Sequence, residues 1–252
     1  MAITPAAKGD EDKISTGIAH LLEEDKTLAY ENNAETKQMT ISGLGDMQLD
    51  VLVARMKSRY GTTVLLETPK IAYRETIKGT SDVEGKHKKQ SGGHGQYGHV
   101  WIEFEPCMGD DLVFEERVFG GAVPRNFFPA VEKGLQECVR KGVLAGCPVV
   151  GLKAILVDGS YHPVDSSEMA FKTASIQAFK KGFLEASPVL LEPIASLKVT
   201  VPDKFTGDVM GDLNKRRGRV LGMNPDHKGN QIVEADIPMM ELYGYCTTLR
   251  SM

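Results

Sequence analysis

QMTISGLGDMQLDVLVARMKSRYGTTVLL, residues 38–66, carries a strand, a helix and a second strand in one continuous stretch. Gln38–Ser42 alternates polar and apolar residues, the period of a half-buried strand. Gly45 opens a helix whose apolar stripe is Leu49, Leu52, Val53 and Met56. Arg55, Lys57 and Arg59 load its C-terminal end, where cations oppose the helix dipole. Gly61 ends the helix, and Thr63–Leu66 is the closing strand.

Working outward, Thr27–Glu31 pairs with Gln38–Ser42 around a polar turn at Asn32-Asn33. Asp10 stands where it can cap a helix through Glu24, with Ile14, Ile18, Leu21 and Leu22 on one face. Ala2–Pro5 is a strand at the chain end. The order is βαββαβ, with two helices on one face of a four-stranded sheet: a ferredoxin-like sandwich over residues 1–68. Beyond Pro188 and Pro193 the pattern returns in residues 191–252. Ile194–Val201 is a strand, Phe205–Arg216 a helix with Gly218 as its C-cap, Val220–Met223 and Gln231–Ile237 are strands, and Pro238–Leu249 is a second helix. The last strand of this second ferredoxin-like unit is missing, and an open sheet edge is a liability, so the expectation is a fragment cut at both ends.

Thr68-Pro69 opens a middle unit, residues 69–190. Ile71–Ile77, Val100–Glu105 and Val149–Val157 read as strands, and Pro124–Ala145 as a helix ended by Gly146. Asp165-Ser166-Ser167-Glu168 has capping-box spacing before a helix running to about Phe183. Ala170, Phe171, Ala174, Ala178 and Phe179 form its candidate buried face. The class is α+β throughout.

The 252 residues hold 30 basic and 34 acidic groups, a net charge of −4. That excludes a globally basic nucleic-acid binder, but the distribution matters more than the sum. Residues 1–68 supply the whole acidic excess. Gly85–Ile102 contains Lys86, Lys88, Lys89, His87, His94 and His99 and no acid, a local cationic loop. Neither a signal peptide nor a run of about 20 apolar residues is present, so no membrane role is expected. Cys107, Cys138, Cys147 and Cys246 lack CxxC spacing and read as reduced thiols of a cytoplasmic protein.

Gly93-His94-Gly95-Gln96-Tyr97-Gly98 is a literal GxGxxG. A dinucleotide fingerprint must follow a strand and open a helix; here it follows a polar basic run and precedes a strand. Two readings stay open. One is a hairpin tip. The other is a nucleic-acid probe, with glycine amides near phosphates, lysine charge, and His94 or Tyr97 as a stacking face. Asp158-Gly159-Ser160-Tyr161-His162-Pro163-Val164-Asp165 is a second polar loop, read as a turn with a local Asx bond or as an RNA contact through His162. Its Asp, Ser and His are too close in sequence to be taken as a triad. Lys215, Arg216, Arg217 and Arg219 cluster at a helix end, either compensating its dipole or meeting RNA phosphates. No residues have metal-ligand spacing, no GxxxxGK[ST] occurs, and no catalytic residue is assigned.

Several stretches resemble bacterial elongation factor G. They include Lys8–Ile14, Ile41–Asp46, Ala72–Ile77, Gln90–Gly98, Asp158–Lys172, Leu191-Glu192-Pro193, Gly207–Gly218 and Tyr243-Gly244-Tyr245. They run in order along essentially the whole chain. The resemblance implies the third, fourth and fifth domains of a five-domain translational GTPase, the fourth with the fold of ribosomal protein S5 domain 2. It implies no cofactor in these residues, with GTP and Mg²⁺ in a GTPase domain elsewhere. The implied role is GTP-dependent translocation of tRNA and mRNA. The expected partners are ribosomal RNA, ribosomal proteins and the tRNA–mRNA duplex, and the protein is expected to be a monomer. Carried over, Ser91, Gly92, Gly93, His94, Gly95, Gln96, Tyr97 and Gly98 form one tip loop entering the decoding centre. Asp158, Gly159, Ser160, Tyr161, His162, Pro163, Val164 and Asp165 form the other. Gln48 stands where the family commonly has His, His94 where Arg is common, and Pro163 where a polar residue is usual. These departures point to a divergent paralogue, and the alternative role is ribosome recycling or protection. A free-standing enzyme built on the GxGxxG or the Asp/Ser/His loop is the rival from another class, and both motifs fail their required contexts.

Overall fold

The computed structural model describes residues 1–89, 95–226 and 228–252. The chain forms two compact units, Met1–Ala72 with Glu192–Met252, and Tyr73–Leu191.

The first unit opens with β1 (Ala2–Pro5), α1 (Glu11–Glu24), β2 (Ala29–Asn33), β3 (Gln38–Ser42), α2 (Asp46–Tyr60) and β4 (Val64–Glu67). The sheet order is β2-β3-β1-β4, antiparallel throughout, with Ile3 opposite both Met39 and Leu66. This is the ferredoxin-like order. Ile14, Ile18 and Leu21 of α1 and Leu49, Leu52 and Met56 of α2 bury against Ile3, Ile41 and Val64. Gly61 caps α2 at φ 65°, the left-handed conformation that glycine adopts without steric cost. Two local expectations change. Asp10 occupies the N-cap of α1 but caps nothing with its side chain, because its carboxylate accepts from Lys13 Nζ at 3.1 Å. The β2–β3 turn lies at residues 34–37 rather than at Asn32-Asn33. Asn33 Oδ1 closes it by accepting from the N–H groups of Glu35 and Thr36.

The second unit comprises β5 (Arg74–Ile77), β6 (Ser81–Lys89), β7 (Gln96–Pro106), β8 (Val113–Glu116), α3 (Phe128–Lys141), β9 (Leu152–Ser160), α4 (Glu168–Glu185) and β10 (Pro188–Leu191). Its main sheet runs β6-β7-β9-β8, with β8 parallel to β9, and β10 pairs separately with β5. The supposed cationic loop is therefore largely an antiparallel hairpin, with Gly85 opposite Val100 and Lys89 opposite Gln96. Its strand period is visible in burial: Val83 and Gly85 are buried while Asp82, Lys86, Lys88 and Lys89 are exposed. The candidate face of α4 is buried as expected at Ala170, Phe171, Ala174, Ala178 and Phe179. A side chain at Gly85 or Gly98 would strike the carbonyls of Ala174 or Ala170, so these glycines let the helix lie directly on β6 and β7.

The first unit is completed by β11 (Ile194–Pro202), α5 (Thr206–Lys215), β12 (Arg219–Pro225), β13 (Asn230–Pro238) and α6 (Tyr245–Ser251). The three strands run β11-β13-β12, again antiparallel, over a core of Val199, Val201, Val209, Leu213, Val233, Ala235, Ile237 and Tyr245. The expected helix over 238–249 is two pieces. A 3-10 turn covers Met239–Leu242, and α6 begins after Gly244 at φ 71°. Within this unit Thr247 Oγ1 donates to Asp46 Oδ2 at 2.5 Å, and Arg250 donates to the carbonyl of Leu44. Among the described residues no helix is long and apolar enough to cross a membrane. All four cysteines are free, and burial pushes the Cys138 thiol up to about 11.

The end of α3 shows why local reading fails there. The helix stops at Gly142, φ 64°, not at Gly146. The chain then wraps the fully buried carboxylate of Glu75. Its Oε2 accepts from Val143 and Leu144 at 2.7 and 2.9 Å, and its Oε1 from Ala145 and Cys147 at 2.7 and 3.0 Å. Burial pushes the Glu75 carboxyl up, but these four N–H groups outweigh it and hold the pKa below the ordinary carboxylate value.

Candidate nucleic-acid interface

The two polar loops meet at one end of the second unit. Of the first, Gln90 and the site residues Ser91, Gly92, Gly93 and His94 lie outside the described residues. From Gly95 onward the chain enters β7, so the GxGxxG leads into a strand. Of the second, Asp158, Gly159 and Ser160 are the last residues of β9, and the loop proper starts at Tyr161.

Asp165 and Ser166 join the loops. Gly95 N–H donates to Asp165 Oδ1 at 3.0 Å, and Tyr97 N–H to the Asp165 carbonyl at 2.8 Å. Ser166 Oγ donates to the Tyr97 carbonyl at 3.0 Å and accepts from His162 N–H at 2.8 Å. Ser166 N–H donates to the His162 carbonyl at 3.1 Å. The turn 162–165 closes on the His162 ring: Nδ1 accepts from the N–H groups of Val164 and Asp165 at 3.3 and 3.1 Å. The expected turn is present, closed by the His162 ring and the Ser166 hydroxyl rather than by a local Asx bond. The capping box also changes. Ser167 is the N-cap of α4, accepting from Ala170 N–H at 3.2 Å, because Asp165 already serves Gly95.

A second layer lies beneath. The hydroxyls of Tyr97 and Ser160 are 2.7 Å apart, and Ser160 Oγ is 2.7 Å from His99 Nδ1. His99 Nε2 lies 2.9 Å from Glu84 Oε1, out of line for a hydrogen bond. Ser160 thus bonds Tyr97 and His99, not His162, so Asp158, Ser160 and His162 form no catalytic relay. His87 Nε2 is 2.9 Å from Gln96 Oε1 on the neighbouring strand. What faces outward is Tyr161, His162, Pro163 and Val164, with Lys88 and Lys89 on β6. The Tyr97 and His162 rings lie 6.4 Å apart, tilted by 56°. The surface combines aromatic faces, N–H donors and cations, a set that suits RNA backbone and exposed bases.

The basic cluster of the first unit is built differently. Arg216 donates to Asp212, to the Glu241 carbonyl and to Thr248, and lies 5.2 Å from the Tyr245 ring centroid. Arg217 takes the left-handed conformation, φ 59°, that the sequence reading gave to Gly218. Gly218 N–H instead bonds the Leu213 carbonyl and Arg217 N–H the Asn214 carbonyl, a Schellman ending. Arg217 forks onto Glu192 and reaches Glu241, and these two carboxylates raise its pKa. Lys215 and Arg219 are exposed.

Among the described residues no group of three His, Cys, Asp or Glu side chains could hold a metal ion. The sequence reading did not single out Glu75, Ser166 or the bridging role of Asp165. Their partners, apart from those inside 162–166, lie about 70 residues away.

Three consecutive stretches match models of known domains: elongation factor G domain III at residues 1–68, domain IV at 69–187 and the elongation factor G C-terminus at 189–252. The fold and its projecting loops are thus those of C-terminal domains of a translation elongation factor. The chain belongs to the elongation factor G family. It is 50% identical, over all 252 residues, to an elongation factor G-like protein of Thermotoga maritima, and spans 37% of that protein's length. It is also similar to a crystal structure of a protein from Thermus thermophilus. That match has a TM-score of 0.85 and 45% identity, and covers 99% of this chain and 37% of that one. The family is one of GTPases, and none of the three matched domains is the GTPase domain.

Proposed function

We propose that this chain is the ribosome-engaging portion of an elongation factor G-like GTPase that promotes translocation of tRNA and mRNA. The tip formed by Gly95–Gly98 and Tyr161–Ser166 enters the decoding centre and holds the codon–anticodon duplex while it moves. The observation that carries this reading is the brace itself: two loops about 70 residues apart are welded through Asp165 and Ser166, leaving His162 and Tyr161 outward. A braced finger resists lateral load, and a backbone-directed surface serves every codon alike. Partners are ribosomal RNA, ribosomal proteins and the tRNA–mRNA duplex, met in the cytoplasm by a monomer. GTP and Mg²⁺ belong to a separate domain. The described part of the GxGxxG, from Gly95, runs into β7 rather than opening a helix that could receive phosphate.

The test joins this chain to the remainder of the Thermotoga maritima relative and measures single-turnover translocation. His162→Ala is expected to slow translocation at least tenfold while ribosome binding persists. An unchanged rate contradicts the role given to the tip. Ribosome splitting with a recycling partner, in the absence of translocation, would assign the recycling step instead.

A further inference from the structure

The ring of His162 is held from one side only. Its Nδ1 accepts two backbone N–H groups, from Val164 and Asp165 at 3.3 and 3.1 Å, which lie closer to it than the Asp165 carboxylate, whose Oδ2 is 3.5 Å away. A ring nitrogen that accepts carries no proton, so in the neutral imidazole the proton sits on Nε2. The side chain is 51% exposed, and among the described residues nothing in the protein bonds Nε2. The two amides reach Nδ1 because residues 162–166 are closed into a tight turn. Ser166 closes it from both ends, through its hydroxyl to His162 N–H and its own N–H to the His162 carbonyl. Asp165 and Ser166 then anchor that turn to Gly95 and Tyr97.

We propose that Asp165 and Ser166 are positioning residues that fix His162 as the Nε2–H tautomer. The outward edge of its ring is thereby a hydrogen-bond donor for a backbone oxygen of RNA, either a ribose 2′-oxygen or a phosphate oxygen. This rests on the reading of the tip as RNA-facing. The tautomer selects the ligand class. An outward N–H can bond either oxygen, whereas an outward lone pair cannot bond a phosphate at all. Every nucleotide carries both oxygens, so a fixed donor contacts any codon. Base edges change from donor to acceptor with sequence.

The first experiment is ¹⁵N NMR of the histidine-labelled 252-residue chain, with His162 assigned by its loss in His162→Gln. The expected spectrum has a pyridine-like Nδ1 and a pyrrole-like Nε2. Ser166→Ala and Asp165→Ala are expected to give mixed tautomers, and Ser166→Thr, which keeps the hydroxyl, to restore the single form. A pyrrole-like Nδ1 in the wild type overturns the inference whatever the ribosome assays show. A pure Nε2–H form persisting in both alanine variants overturns the positioning role. The second experiment uses the joined protein on ribosomes. Ser166→Ala should lower single-turnover translocation at least threefold, with Ser166→Thr near wild type. If the acceptor is the 2′-oxygen, 2′-deoxy codon nucleotides should abolish the difference between wild type and His162→Gln; if it is phosphate, methylphosphonate linkages should do so. A difference that survives both changes overturns the backbone-oxygen assignment. An Nε2–H spectrum together with wild-type translocation by His162→Ala leaves the tautomer standing and removes the RNA-facing reading beneath it.

Discussion

Two regions of this molecule carry the polar chemistry expected of an RNA-binding protein, and they use it in opposite ways. The cluster at 215–219 has the greater positive charge, yet Arg216 and the exposed Arg217 are paired within the fold, to Asp212, Glu192, Glu241 and Thr248, while Lys215 and Arg219 are exposed. The tip presents Lys88 and Lys89 outward, and its internal bonds run mainly through the backbone and through Asp165 and Ser166. That leaves the His162 and Tyr161 side chains outward. The lesson is that counting cations misjudges an interface: a charge already paired within the fold must be unpaired before it can meet a phosphate. The inward pattern has its limit at Glu75, a buried carboxylate filled by four amides. The outward pattern has its limit at His162, whose ring is fixed on one edge and open on the other.

The largest expected effect tests the inward extreme. Glu75→Gln keeps one acceptor oxygen but turns an NH₂ toward two amide hydrogens, and should cost about 2–4 kcal/mol of stability in urea unfolding. The same group sets a pH dependence. Its pKa is lowered in the folded state, so the stability it contributes is fully present above its ordinary value near 4.5 and is lost as pH falls through the lower folded value. The gap between wild type and Glu75→Gln should therefore narrow as the urea midpoint is followed from pH 6 toward pH 3. Next, Arg216→Ala leaves Asp212 and the Glu241 carbonyl without their partner. It should destabilise the first unit by about 2–3 kcal/mol, seen as a lower urea midpoint. If it weakened ribosome binding with no change in midpoint, the cluster would be an interface and the contrast would fail. Ser167→Ala removes the N-cap of α4 and should cost about 1 kcal/mol by the same measurement. Smallest of all, His162→Ala should shift the midpoint by less than about 0.5 kcal/mol, because most of its side chain meets solvent. A larger loss would mean that the two N–H bonds to Nδ1, from Val164 and Asp165, hold the turn more strongly than water in their place can.

Much of the fold was legible in the sequence where local period and burial agree. The stripe Leu49, Leu52 and Met56 with Gly61 behind it marked α2. The run Ala170, Phe171, Ala174, Ala178 and Phe179 marked the buried face of α4. Reading failed where a distant group overrode a local signal. Helix α3 stops at Gly142 because Glu75, in a strand some 70 residues earlier, takes the amides of Val143, Leu144, Ala145 and Cys147 just beyond it. Ser167 caps α4 because Asp165 is held by Gly95. Arg217, not Gly218, takes the left-handed position, and its side chain reaches Glu192 and Glu241. Strand β6 was hidden because Lys86 and Lys88 lie on its outer face, Lys89 adds a charge at its end, and glycine at position 85 gave no apolar residue to show the alternation. At the site, the loops stood out by composition. Their brace did not, since Asp and Ser at 165–166 look like any helix start until Gly95 and Tyr97 come beside them.

On the proposed function the tip, and not the basic cluster, meets the RNA of the decoding centre. Directed hydroxyl-radical cleavage tests it most directly, with an iron chelate on Val164→Cys or on Lys215→Cys. The background would replace Cys107, Cys147 and Cys246 by serine, in the protein joined to the remainder of its Thermotoga maritima relative and bound to ribosomes carrying tRNA and mRNA. The chelate at 164 is expected to cut decoding-centre RNA and the chelate at 215 to leave it intact. Cleavage there from 215, with none from 164, would contradict it.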